Sequence, residues 1–293
     1  MTKVTSLLSA LAAAVTIAFA GCGKKASNAV TINQKGSDTL VQVAQAWSEA
    51  YKKVNPDVQV NVAGGGSGTG IAALINGTID ICDASREMKP AEKEEIKKKF
   101  GKDAVETVIG YDALAVYTNP ANPLKEISID ELHGIYAEGG AIDNWEQIIP
   151  EFKGGITRAS RQNSSGTYEY FREAVCGKKA DGKTYNEFKQ GASELTGSSE
   201  VVEFVAKTPT AIGYSGMGYK NDKVNWLAVA KKKGDKAILP GHDVAKDGTY
   251  PIARKLYLYT IGEPTGEIKK YIDWIVSKDG QAVVEKEGFV SFK

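Results

Sequence analysis

The chain has 293 residues, with 37 Lys and Arg against 36 Asp and Glu, for a formal net charge of +1. That balance excludes a global basic field for nucleic acid or an acidic membrane surface, and the length admits one large or two smaller domains. His133 and His242 lie outside any metal-ligand spacing and the three cysteines form no CxxC pair, so neither a metal nor a cofactor is expected.

Residues 1–21 read as an export signal. Lys3 supplies the positive start, and 7–20 is an alanine-rich apolar run too short for a stable span. It stops at Phe19-Ala20-Gly21-Cys22, which resembles the lipobox of bacterial lipoproteins. Cys22 is therefore the expected lipidation site, anchoring an exported protein to a bacterial membrane at the periplasm or cell surface. Residues 22–28 then form a polar tether. The plainer alternative is a secretory signal with an incidental cysteine.

Residues 30–33 alternate as a strand and are followed by Gly36-Ser37-Asp38-Thr39. Leu40, Val43, Ala44, Trp47, Ala50 and Tyr51 then recur at helical spacing. In this strand–turn–helix unit Ser37, Asp38 or Thr39 is the expected helix cap. The remaining first-turn N–H groups are left for a ligand. A second unit follows: a strand at 58–62, the loop Gly64-Gly65-Gly66-Ser67-Gly68-Thr69-Gly70, and a helix from Ile71. Such a turn lets backbone approach an anion at the positive end of a helix. The nucleotide motifs fail here, since no Lys-Ser or Lys-Thr follows Gly70 and no glycines fall at i, i+2, i+5. Thr69 also stands where the second glycine of a nucleophile elbow belongs. The indicated anion is small.

The second helix ends at Gly77-Thr78, and 79–86 is a short buried strand running into a polar tip. Residues 91–100 are a charged, solvated helix, and 106–117 a β-rich run. Repeated strand, loop and helix with apolar strands argue for a parallel sheet covered on both faces. A helix at 129–136 opens a second region, with Trp145 beyond it. A strand at 156–161 leads through Gln162-Asn163-Ser164-Ser165-Gly166-Thr167 into a helix carrying Tyr168, Phe171, Ala174 and Val175 on one face. This third unit has Arg161 at its base, and the three turns together read as parts of one anion pocket. Residues 201–206 are helical and 210–216 a strand. The alternating strand at 250–260 mirrors 111–118, so these two are expected to cross between two lobes. Residues 267–284 form a terminal amphipathic helical region. Cys82 and Cys176 are expected as two buried thiols, although an oxidising compartment permits their pairing.

Taken together, Gly36-Ser37-Asp38-Thr39, the Gly-rich loop with Ser67, Asp83-Ala84-Ser85-Arg86, Arg161-x-x-x-Ser165-Gly166-Thr167, Ile212-Gly213-Tyr214 and Tyr250-Pro251-Ile252-x-Arg254-x-Leu256-Tyr257-Leu258-Tyr259-Thr260 resemble the periplasmic phosphate-binding proteins of bacterial phosphate ABC importers. The likeness covers essentially the whole mature chain. It implies an α/β, two-lobed periplasmic binding protein fold, each lobe a mostly parallel sheet flanked by helices, joined by two crossover strands. Residues 29–113 with 254–293 would form lobe 1, and 114–253 lobe 2. It further implies that Ser37, Thr39, Leu40, Ser67, Ser85, Arg161, Ser165, Gly166 and Thr167 line the cleft, with Asp38, Arg86 and Ser164 in the same turns.

The implied partners are inorganic phosphate and the permease subunits of an importer, and the implied role is capture without catalysis by a monomer that binds no nucleic acid. Sulfate, molybdate or tungstate is the alternative ligand, and an exported phosphatase the alternative class. Two positions depart from the family pattern. Arg86 stands where several relatives carry an aspartate that accepts the proton of hydrogen phosphate. Asn163 stands where some carry an aspartate that pairs with the arginine. Asp38 and Asp83 are the candidates for a replacement acceptor. Arg86 and Arg161 have a second reading as well, in which each holds a carboxylate across the cleft.

Overall fold

Strand β1 (Val30–Gly36) turns Ile32 and Gln34 inward and Thr31 and Asn33 outward, and helix α1 (Val41–Val54) buries Val43, Ala44, Trp47 and Tyr51 against it. The computed structural model describes residues 30–179 and 185–292. The export signal, Cys22 and tether expected at 1–28 lie outside the described residues.

β1 is flanked in parallel by β2 (Val58–Ala63) and β3 (Ile81–Ala84). Period-two alternation sends the side chains of β3 to opposite faces. Ile81 packs with Trp47, Tyr271 and Ile275, whereas Cys82 and Ala84 pack with Ile71, Leu74 and Ile96. One face is thus covered by α1, α8 (Gly266–Ile275) and α9 (Lys278–Lys286), the other by α2 (Ser67–Asn76) and α3 (Pro90–Phe100). Ile96 is the one buried residue of α3, as its charge pattern requires.

Two long strands extend this parallel set through antiparallel pairings. The 15-residue β4 (Ala104–Thr118) pairs through Ala104–Ala113 with β11 (Ala253–Ile261), then through Leu114–Thr118 with β8 (Ala211–Gly216). The change of partner at Ala113/Leu114 carries the chain from one lobe into the other. β11 lies between β3 and β4 and returns it. In the second lobe β8, β6 (Thr157–Arg161) and β7 (Ser193–Leu195) are parallel. Helices α4 (Ile129–Tyr136), α5 (Gly166–Val175) and α6 (Ser198–Lys207) pack there around Tyr136, Phe171, Val201 and Tyr214. The sheet path is β2-β1-β3-β11-β4-β8-β6-β7. The fold is the expected two-lobed α/β architecture.

Several local expectations are corrected. The N-cap of α1 is Leu40, and no side chain caps it; Ser37, Asp38 and Thr39 make their hydrogen bonds elsewhere. α2 begins at Ser67, so half of the Gly-rich loop is already helix. Gly66 makes this entry at φ 92°, a left-handed value that disfavours a side chain. The terminal helical region is broken into α8 and α9, and Ser277 Oγ accepts from Gly280 N at 3.5 Å to start the second. β11 starts at Ala253, leaving Tyr250-Pro251-Ile252 outside the strand. Cys82 and Cys176 are both buried free thiols.

Candidate functional site

Parallel strands in α/β sheets end where helices begin, and ligands bind beyond those carboxyl ends. β1, β2, β3 and β6 all end at one place. The turn after β1 supplies Ser37, Asp38 and Thr39, that after β2 supplies Ser67, that after β3 supplies Ser85, and that after β6 supplies Ser164 to Thr167. Ser37, Thr39, Ser67, Ser85, Ser165 and Thr167 are all buried.

The hydroxyls meet directly. Ser37 Oγ donates to Ser85 Oγ at 2.8 Å, and Ser85 Oγ lies 3.3 Å from Ser67 Oγ. Ser67 Oγ also accepts from Ser85 N at 3.1 Å. Across the cleft, Thr39 Oγ1 of lobe 1 is 2.8 Å from Thr167 Oγ1 of lobe 2. Gly68 N donates to Ser164 O at 3.0 Å, and Ser164 Oγ donates to Gly65 O at 3.1 Å. Ser165 Oγ caps α5 by accepting from Thr167 N and Tyr168 N. A Cβ at Gly166 would run into Ser67 Oγ and Ser85 Oγ, so only glycine permits this approach of the two lobes.

Two buried arginines frame the cluster. Arg161 Nη2 donates to Asp38 Oδ2 at 3.0 Å and to Thr196 O at 2.7 Å; Nη1 donates to Ser198 Oγ at 3.0 Å, and Nε to Leu195 O at 3.3 Å. Burial lowers its pKa, and Asp38 opposes that change. Asp38 Oδ1 accepts from Gly65 N at 2.8 Å, so its carboxylate joins two turns of lobe 1 to an arginine of lobe 2. Asp38 is therefore fixed by Arg161 and carries out the cross-cleft pairing.

Arg254 was not among the residues expected in the site. Its Nη2 donates to Thr39 Oγ1 at 3.2 Å and Thr167 Oγ1 at 3.1 Å, and its Nη1 to Ser85 O at 3.1 Å and Gly166 O at 3.4 Å. Asp112 balances it, accepting at Oδ2 from Nη2 at 2.8 Å and from Nε at 3.1 Å. Burial raises the pKa of Asp112, and Arg254 opposes the rise. The signal was present in the sequence, because Arg254 falls in the inward phase of β11 with Leu256 and Leu258. Asp112 and Ser198 carried no comparable mark.

Three expected site residues are placed differently. Leu40 enters the lobe 1 core, and its N–H donates to Ser37 O at 3.0 Å. Asp83 faces away from the hydroxyls, accepting at Oδ1 from Gln34 Nε2 at 2.6 Å, with Tyr271 OH donating to Gln34 Oε1 beyond it. Its pKa is pushed up to about 7 by burial, against the Gln34 hydrogen bond. Arg86 turns toward Glu92, reaching Oε2 through Nη1 at 2.9 Å and Oε1 through Nη2 at 2.8 Å, and its Nε lies 3.1 Å from Glu169 Oε2. Burial would lower its pKa, but Glu92 and Glu169 outweigh it and the net direction is upward. Of its two readings, Arg86 takes the one in which it holds a carboxylate across the cleft.

The site thus presents hydroxyls, turn amides and two guanidinium groups, each already matched to one aspartate. That set suits a small, desolvated oxyanion held by many directed donors with little net charge. His133 Nδ1 lies 3.0 Å from Val175 O, and His242 opens the short helix α7 (His242–Lys246). Neither hydrogen-bonds to the cluster. Among the described residues, no group of three or more His, Cys, Asp and Glu is arranged to hold a metal, and no helix is long and apolar enough to cross a membrane.

Known proteins share this architecture. A family model described as the PBP superfamily domain matches residues 23–279. The phosphate-binding protein PstS of Pseudomonas aeruginosa is 32% identical over 273 residues, spanning 88% of this chain and 82% of that protein. PstS of Bacillus subtilis is 33% identical over 273 residues, spanning 91% of this chain and 82% of its own. The crystal structure of a Clostridium perfringens protein, described as a phosphate ABC transporter substrate-binding protein with bound phosphate, superposes with a TM-score of 0.77. It is 29% identical and spans 90% of this chain and 100% of that one.

Proposed function

Because the chain belongs to the PBP superfamily, with phosphate-binding proteins PstS among its relatives, we propose that it captures inorganic phosphate in the cleft between its lobes and delivers it to an ABC importer. The observation that carries this reading is the convergence of Ser37, Thr39, Ser67, Ser85 and Thr167 on one another and on Arg254 at the ends of parallel strands from both lobes. Phosphate entering there exchanges the hydroxyl–hydroxyl contacts for hydroxyl–anion ones. Each charge-assisted bond contributes roughly 1.5–3 kcal/mol, set against the large cost of dehydrating the ion.

Asp38 stands beside the cluster as its cleft-spanning carboxylate and is the group that would accept the proton of hydrogen phosphate. A fully ionised oxyanion has no such proton and meets repulsion at the same place. One observation favours a broader oxyanion specificity, namely that Asp38 is already neutralised by Arg161. Titration calorimetry with phosphate, sulfate, molybdate and tungstate decides between them. The expected result is 1:1 binding of phosphate and weak or no binding of the others. Absence of heat with phosphate at micromolar concentration overturns the reading.

The protein works as an exported monomer held to a membrane through lipid on Cys22, and it binds without turnover. Mass spectrometry of protein from membranes, with a Cys22→Ser control, tests the anchor, and assay against a generic phosphoester tests the absence of hydrolysis.

A further inference from the structure

Outside the hydroxyl cluster, a second set of charges joins the lobes. Glu169, in the first turn of α5 in lobe 2, has Oε2 3.1 Å from Arg86 Nε and Oε1 2.5 Å from Lys89 Nζ, both from the β3–α3 segment of lobe 1. Each half is also held by contacts within its own lobe. In lobe 1, Glu92 holds Arg86 through both terminal nitrogens and accepts from Lys89 N at 2.7 Å as part of a capping box, leaving Nε of Arg86 for the opposite lobe. In lobe 2, Arg172 lies 3.9 Å from Glu169 Oε1, one helical turn along.

We propose that Glu169 is a closure latch whose ion pairs with Arg86 and Lys89 hold the two lobes together at the rim of the cleft and set how long the captured ion stays. Lobe opening in a hinged binding protein must break whatever crosses the cleft. Parting the lobes here breaks both pairs to Glu169 and leaves Arg86–Glu92 intact, so the latch reforms without rearranging lobe 1. The Asp38–Arg161 pair also crosses the cleft, but it lies within the anion site and bears on anion contacts and closure at once. The carboxylate of Glu169 makes no hydrogen bond to the cluster, so it acts on closure alone.

Burial ranks the two contacts. The side chains of Arg86 and Glu169 are 9% and 13% exposed, and that of Lys89 is 51% exposed. Solvent therefore screens the lysine contact more strongly than the arginine contact. Two cavities adjoin these ion pairs, and Glu169 itself borders the second. One, of about 440 Å³, is bordered by Arg86, Lys89, Tyr170, Glu173 and Arg254; the other, of about 350 Å³, is bordered by Lys89, Glu169, Arg172 and Glu187.

The kinetic half of the test rests on the phosphate reading; the conformational half does not. In stopped-flow measurements on the full chain, Glu169→Gln is expected to raise the phosphate dissociation rate about tenfold, with the association rate nearly unchanged. The wild-type dissociation rate should climb with salt, and that dependence should be largely lost in the variant. Lys89→Met should have a smaller effect and add little to Glu169→Gln in the double variant. Small-angle scattering without added anion should show a larger radius of gyration for Glu169→Gln than for wild type. An unchanged dissociation rate together with an unchanged radius overturns the latch. A wild type that binds no phosphate overturns the functional reading instead, and the scattering comparison still decides the latch.

Discussion

Arg254 Nη2 lies 2.8 Å from Asp112 Oδ2, with the two side chains 2% and 0% exposed, at the place where β4 and β11 pass between the lobes. The same guanidinium reaches Thr39 and Thr167, one from each lobe. The pair therefore supports the hinge strands and presents donors to the cleft. Removing one partner leaves an uncompensated buried charge, which typically costs about 3–5 kcal/mol. Asp112→Asn should lower the urea midpoint accordingly and weaken anion binding. Arg254→Met with Asp112→Leu should recover much of the stability without recovering binding. Equilibrium unfolding and calorimetry on the same preparations check both halves.

Asp83 makes stability depend on pH in a direction unusual for a carboxylate. Its folded pKa of about 7 lies above the ordinary 3.8, so between those values the folded state holds a proton that the unfolded state has released. Stability from this group is full below pH 4 and is lost as pH rises toward 7, by on the order of 4 kcal/mol at most. Asp83→Asn, which keeps one acceptor oxygen for Gln34, should be more stable than wild type near pH 8 and should flatten the slope between pH 5 and 7. Urea midpoints measured from pH 4.5 to 8 test this; a slope unchanged in the variant would remove Asp83 as its source.

Gly166 permits a close approach between the lobes. Alanine there would put a methyl group into Ser67 and the hydroxyl of Ser85, so that something must shift for the lobes to close. Gly166→Ala should leave lobe 2 folded and the melting temperature without anion within a few degrees of wild type, because helix position Gly166 accepts alanine readily. Phosphate affinity should fall at least 100-fold. Calorimetry beside thermal melting separates a closure defect from a folding defect.

Asp38 connects specificity to closure. Asp38→Asn keeps an oxygen for Gly65 N but removes the charge facing Arg161. Phosphate should bind about tenfold or more weakly, and sulfate should gain relative to it, because the carboxylate that repels a fully ionised anion is gone. Competition calorimetry at pH 7 reads the ratio. An unchanged phosphate-to-sulfate ratio would place discrimination elsewhere in the pocket.

The strand and helix order was legible because the apolar residues keep strict periods. Trp47 and Tyr51 sit on the buried stripe of α1, and Ile32 and Gln34 on the inward phase of β1. Ser67, Ser85 and Thr167 were legible as a group because each follows a strand and opens a helical segment or polar tip. Caps and breaks were less so. A Ser, Asp or Thr before a helix has equal local reason to cap it or to face a ligand, and at α1 no side chain caps. The break between α8 and α9 hides in a continuous amphipathic pattern, because Ser277 interrupts the helix without interrupting the apolar period.

By itself the sequence determined the repeated strand–turn–helix α/β organisation and the presence of a pocket rich in hydroxyls and arginine, while the two-lobed fold was what its resemblance to phosphate-binding proteins implied. The former follow from local periodicity and from turn residues that sit in fixed places along the chain. Only the tertiary structure decided how the charges are distributed. Arg86 and Glu169 are 83 residues apart, Arg161 and Asp38 123, and Arg254 and Asp112 142, and no local pattern sets such pairs. Which carboxylate each arginine meets depends on how the lobes close and on which groups are buried together, since a desolvated charge takes the partner within reach. The closed geometry turns Arg86 to the rim, gives Asp38 to Arg161, and places Arg254 at the centre of the site.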